Sequence, residues 1–299
     1  MNKLFGCLLC ACIACGQADK KEEVEETLFE AKVLTEPRGF TMGVEGPGVD
    51  AQGNLYAVNY QEEGTIGKVS RDGQVSLFVN LPQGSTGNGI RFDKKGNMLV
   101  ADYTGHNILS IDLNTKAISV YAHEDRMTQP NDIAIDNKGH IFASDPDWKA
   151  NKGKIWRIDT NRQVVLLDTL GTANGIEVSP TNDRLYVNEA EMGNVWMYDL
   201  ARDGSVRNKR LLIKFPNFGM DGMRCDQNGN LYIARFGKGE VVKVSPEGKV
   251  LREIKLRGEK PTNVTFGGPD GRTVFVTLQD QGNIEFFRVD TPGRTINWE

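Results

Sequence analysis

Apolar residues in this chain come in short runs separated by polar turns, and the stretch 129–146, QPNDIAIDNKGHIFASDP, sets the pattern. A polar head at Asn131 leads into a short apolar strand, Ile133-Ala134-Ile135. A turn follows at Asp136-Asn137-Lys138-Gly139, then a second apolar strand at Ile141-Phe142-Ala143. Strand, glycine-containing turn, strand is the signal of a β-hairpin. The unit recurs six times. Its first strands are headed by Glu45 (EGPGVD), Asn88 (NGIRFD), Asn131 (NDIAID), Asn174 (NGIEVS), Asp221 (DGMRCD) and Asn263 (NVTFGG). The steps between successive heads are 43, 43, 43, 47 and 42 residues. Its second strands read LYAVNY, MLVADY, HIFASD, RLYVNE, LYIARF and TVFVTL.

A third strand with alternating apolar positions follows, as in KIWRID from Lys154 and NVWMYD from Asn194. A more polar fourth strand closes each unit, at 75–79, 118–121 and 164–168. Four strands per unit and a period in the forties predict an all-β, six-bladed β-propeller of antiparallel blades. Period-2 alternation and frequent glycine exclude a helical repeat. The last unit shows three clear strands and an ambiguous tail from Arg294 to Trp298. A ring must close, so the apolar-polar stretch 28–34 is expected to supply the missing outer strand and remove the open edges. The propeller then spans residues 28–299.

Composition alters this picture little in the body and sharply at the start. A net charge of −4 gives no reason to expect nucleic acid or an anionic membrane as partner. Four of the five cysteines, Cys7, Cys10, Cys12 and Cys15, lie in the leader, and only Cys225 lies in the body. Lys3 followed by an apolar run from Leu4 to Ala14 is too short to span a bilayer and has the form of an export signal. Both Leu9-Cys10-Ala11-Cys12 and Cys12-Ile13-Ala14-Cys15 resemble the bacterial lipobox, and Cys15 is favoured because the chain turns polar at once after it. Residues 1–14 therefore read as a lipoprotein-type signal peptide, Cys15 as the lipidated residue, and 15–27 as a flexible tether. The expected location is the bacterial cell envelope, with an outer-membrane or periplasmic face and membrane contact through the lipid alone. Cys225 reads as a lone buried thiol.

The heads of the first strands should converge on one mouth of the central channel. Converging carboxylates without a cation repel one another and are costly to desolvate. Two carboxylates among amide oxygens match an oxygen-preferring divalent cation, Ca²⁺ first. Zinc is disfavoured, because His106, His123 and His140 fall elsewhere in the repeat. Asn and Asp before glycine also serve as turn formers. That reading suits Asn263 and extends to Asn88, but it does not account for Glu45. The Asp-x-x-Gly-Asn turns lack the later Glu and the helices of a calcium loop and read as hairpin turns. Among the loops between second and third strands at the same mouth, Trp148, Arg235 and His106 are the candidate substrate contacts. Trp156 and Trp196 are expected to pack between blades.

The openings EGP at Glu45, PND at Pro130, ANG at Ala173 and DGM at Asp221, with ASDP at 143–146, resemble the regucalcin–gluconolactonase superfamily from about Gly43 to Arg288. A more distant similarity reaches calcium-dependent phosphotriesterases and paraoxonases. The resemblance implies a metal held by Glu45, Asn131, Asn174 and Asp221, with Asp221 also the base or nucleophile, and hydrolysis of a lactone or related ester by a monomer. Asn88 joins the implied substrate contacts. Where gluconolactonase-like members often carry an Arg two positions before the third-blade Asn, this chain has Gln129, which can hydrogen-bond hydroxyls but brings no charge. The rival reading is a non-catalytic propeller lipoprotein that binds a ligand or protein and uses the metal structurally. A lyase or synthase on the same scaffold is a third.

Overall fold

The computed structural model describes Met1 and residues 27–299. The expected signal peptide and the lipidation candidates Cys15 and Cys12 fall outside the described residues, as does nearly all of the tether. The described strands form six four-stranded sheets. Five follow chain order over residues 40–80, 87–123, 133–170, 173–214 and 223–255. The sixth consists of Pro261–Gly267, Thr273–Leu278, Asn283–Arg288 and, on its outer edge, Lys32–Val33. The first strands of all six blades touch their neighbours in a ring around the axis. This is the six-bladed propeller that the repeat predicts.

The closure is real but shorter than expected. Lys32 pairs with Phe286 and Val33 with Glu285. Before them only an isolated bridge joins Leu28 to Arg288, because Phe29 turns into the left-handed region at φ 63° and interrupts the strand. Its ring lies under the Arg252 guanidinium at 4.2 Å. Beyond the strand, Thr35 is fully buried and its hydroxyl accepts the Ile284 amide at 2.9 Å. The ambiguous tail is no strand. It crosses beneath the channel, where the Arg294 amide bonds the Cys225 carbonyl and the Glu299 amide bonds the Asn137 carbonyl. Ile296 and Trp298 pack against the apolar layer between the second and third blades.

The core is a set of sheet-on-sheet layers. Leu99 and Ile108 of the second blade meet Ile133, Ile141 and Trp156 of the third, and Phe142 and Ile155 of the third meet Ile176 and Leu185 of the fourth. Trp156 is fully buried and Trp196 partly so, both between blades as expected. The Asp-x-x-Gly turns also behave as read. Asp50, Asp93, Asp136 and Asp226 each accept the amides two and four residues on, so their carboxylates are committed to their own hairpins.

Candidate functional site

A cavity of about 930 Å³ opens at the mouth where the first strands begin, and its floor carries Glu45, Asn88, Asn131, Asn174 and Asp221. Local sequence explains how these heads reach the axis. Gly46 follows Glu45 at φ 53°, and a Cβ there would overlap the Asn88 carbonyl of the next blade. A Cβ at Gly222 would overlap the Asn263 carboxamide. Glycine at these places lets neighbouring inner strands approach within backbone contact.

In the second, third and fourth blades the loop before the head is held by an acid at the end of the second strand. In the third blade Asp145 accepts the Thr128 and Gln129 amides at 2.8 and 2.6 Å and the Trp156 indole at 2.8 Å. In the second, Asp102 accepts Ser85 Oγ at 2.8 Å and the Thr86 amide at 3.3 Å. In the fourth, Glu189 takes the Gly171 amide at 2.7 Å. Asp145 and Glu189 are buried. They aim Asn131 and Asn174.

Glu45 is 8% exposed, and its Oε2 accepts the Gly46 amide at 2.6 Å and Asn263 Nδ2 at 3.0 Å. Asn263 itself is fully buried and also bonds the Val264 amide, as a turn former does. Burial pushes the Glu45 carboxyl up to about 7, with the Asp132 carboxylate adding to the rise. Asp221 is driven well above the usual carboxylate range by burial and then by the charge of Glu45, with which it shares a hydrogen bond. Two acids in contact cannot both ionise unaided, so the pair holds a proton between them.

Asn88, Asn131 and Asn174 each leave their side-chain Oδ1 buried with no hydrogen-bond partner. An orphaned buried carbonyl costs about 1–3 kcal/mol. Three of them beside a carboxylate pair form an all-oxygen donor set that fits a hard divalent cation. This corrects the turn-former reading of Asn88, whose oxygen satisfies no backbone group. One to three residues beyond the heads the channel is closed by ion pairs. Arg224 grips the buried Asp132 at 2.8 and 3.1 Å, and Arg91 lies 3.6 Å from Asp132 and 3.9 Å from Glu177. From below, the tail's Arg294 reaches Glu177 at 3.4 Å.

Of the remaining candidates, Trp148 lines the cavity. Gln129 is not among the lining residues; its side chain bonds Tyr103, which does line the cavity. His106 is not among the lining residues; it makes a left-handed turn at φ 57° and its carbonyl accepts the Glu124 amide. Arg235 is 1% exposed and behind the wall, donating to the Asn217 and Gly219 carbonyls at 2.5 and 3.4 Å and facing the Phe215 ring at 3.9 Å. It supports the wall and does not face the cavity. Missing from the sequence reading is the segment 215–220, FPNFGM, which forms one side of the cavity. Its signal was present in the 47-residue step, four longer than the three before it, between Asn174 and Asp221.

The sequence profile of the SMP-30/gluconolactonase/LRE-like region matches residues 43–280. The chain is 31% identical to a pentonolactonase of Haloferax volcanii over 157 residues, about half of each protein (51% of this chain, 54% of that one). It is 27% identical to the diisopropyl-fluorophosphatase of Loligo vulgaris over 84% of this chain and 90% of that protein. In fold it is similar to a calcium-binding regucalcin of Agrobacterium tumefaciens, with a TM-score of 0.79 at 21% identity, covering 90% of this chain and 97% of that one.

Proposed function

The chain belongs to the SMP-30/gluconolactonase/LRE-like family, and from that premise and its central cavity we propose that it hydrolyses a lactone or related ester with a divalent cation, calcium first. The observation that carries the reading is the meeting of three partnerless amide oxygens with a proton-sharing carboxylate pair on the cavity floor. Glu45, Asn131, Asn174 and Asp221 would hold the ion, with Asn88 beside them toward the substrate. When bound, the cation supplies Lewis-acid polarisation of a carbonyl and the charge that allows both carboxylates to ionise.

Asp221, once ionised, is the group placed to take a proton from water or to attack the acyl carbon itself. The balance is simple. One water is consumed, the acyl carbon–ring oxygen bond breaks, the ring oxygen leaves with a proton, and a hydroxy acid is released. Asn263 and the Gly46 amide fix Glu45, while Asp145 and Glu189 fix the loops that present Asn131 and Asn174. Such positioning is what lets a site stabilise charge at little reorganisation cost. We place the domain outside the cytoplasm, tied to the envelope by a lipid on Cys15 and a tether over 15–27.

The test is a panel of lactones, esters and phosphotriesters on the full-length protein with calcium or with chelator. Turnover that needs the ion and falls roughly 10²–10⁴-fold in Asp221→Asn is the expected result. Calcium binding with no turnover of any of them would replace this reading with the binding-protein one.

A further inference from the structure

We propose that the substrate carries an apolar ring or chain beside its scissile carbonyl, gripped by Trp148, Phe236 and the 215–220 segment, and is not a polyhydroxylated sugar-acid lactone. This rests on the hydrolase reading and names the substrate class for the same site.

Above its polar floor the cavity is walled by Tyr103, Trp148, Met192, Phe218, Met220 and Phe236. Its volume of about 930 Å³ lies in the upper part of the roughly 300–1,000 Å³ typical of pockets that enclose sizeable organic ligands. Several polar side chains of the wall are committed to the fold, while Glu63, Glu191, Lys214, Asn217 and Gln279 line its rim. Asn59 donates to the Gly43 carbonyl at 2.6 Å and accepts the Gly64 amide at 3.2 Å. Thr104 and Thr262 give their hydroxyl protons to the Gly84 and Val44 carbonyls at 2.5 and 2.8 Å. The Gln129 side chain is bonded to Tyr103, and Arg235 is bound to backbone outside the cavity lining. A polyol held against Trp148, Phe218, Met220 and Phe236 would leave hydroxyls facing carbon, each at a desolvation cost.

The wall also displays apolar surface to solvent where folding alone would hide it. Phe218 is 51% exposed and Met192 is 48% exposed, both lining the cavity. Phe218 sits at φ 57°, a conformation that a bulky side chain adopts only when its surroundings impose it. Those surroundings are present: Arg235 holds the carbonyls on either side of it, and the Gly219 amide bonds the Phe236 carbonyl at 3.0 Å. The ring is therefore presented to the cavity by a rigid segment, as a preorganised apolar contact is.

Two six-membered lactones of opposite character decide the matter: dihydrocoumarin and glucono-δ-lactone. Acid release is followed on the full-length protein with calcium and corrected for spontaneous opening. The expected kcat/KM for dihydrocoumarin exceeds that for the sugar lactone by roughly 100-fold, the scale of burying one ring. Phe218→Ala should lower that ratio roughly tenfold, chiefly through KM, with Met192→Ala as a second variant should the first fold poorly. Equal or better turnover of the sugar lactone overturns the inference and leaves the hydrolase reading standing. If neither lactone opens, the wider panel decides the hydrolase reading, and calorimetric binding of the matching lactams, 3,4-dihydroquinolin-2-one and gluconolactam, decides the class. Tighter binding of the aromatic lactam, weakened in Phe218→Ala, supports it; tighter binding of the sugar lactam, or binding of neither, overturns it.

Discussion

At the scale of single residues the centre of the molecule is the contact between Glu45 and Asp221. With the Glu45 carboxyl raised from 4.5 to about 7, the folded protein without metal holds a proton more tightly than the unfolded chain does. That contribution to stability is complete below about pH 4.5 and lost as pH rises through about 7. Calcium reverses the sense, because it must displace the shared proton. The rise in melting temperature on adding calcium should accordingly be larger at pH 8 than at pH 5.5. A shift independent of pH would remove the carboxylate pair from the cation site. The sequence made these heads legible because a strict repeat put a Glu where the other blades carry Asn or Asp. It could not show which amides keep a free oxygen. Asn88 and Asn263 occupy the same repeat position, yet one lines the cavity and the other is fully used beneath Glu45, a difference set by what the neighbouring blade presents.

At the scale of elements, the loop before each first strand is as much a part of the site as the strand. Asp145 carries three donors from two directions, and its loss leaves them buried. Asp145→Ala should destabilise the fold by about 3 kcal/mol or more and weaken calcium binding by loosening Asn131. Denaturant titration and calorimetry would measure both, and stability loss with unchanged calcium affinity would confine Asp145 to the fold. Strands and hairpins were readable because period-2 alternation and the Asp-x-x-Gly turn are local. The roles of Asp145 and Arg235 were not, since their partners, the 128–129 amides and the 217–219 carbonyls, are fixed by three-dimensional crossing and not by spacing. His106 looked like a substrate contact for the same reason and instead sits at a backbone bend outside the cavity lining.

At the scale of the whole molecule, the propeller is a closed ring whose ends are secured in different ways. The N-terminal strand pairs into the last blade, and the C-terminal tail seals the far end of the channel with Arg294, Ile296 and Trp298. Thr35 is the hinge pin of the first of these, because its hydroxyl alone meets the buried Ile284 amide from the far side of the chain. Thr35→Val should cost about 1–3 kcal/mol and show itself chiefly as faster unfolding in stopped-flow denaturation. Normal unfolding kinetics in that variant would mean the seam is not where the ring opens.

The seam also sets a clock. Val33 meets Glu285 across some 250 residues of intervening chain, so a ribosome must emit nearly the whole protein before its first strand finds a partner. Until then five finished blades stand with an open edge at each end, sticky to other copies. Under the proposed export the chain would cross the membrane as a thread, its last blade waiting on the far side for both ends to arrive. A seam that forms this late would then keep the ring from locking before the proposed export is complete.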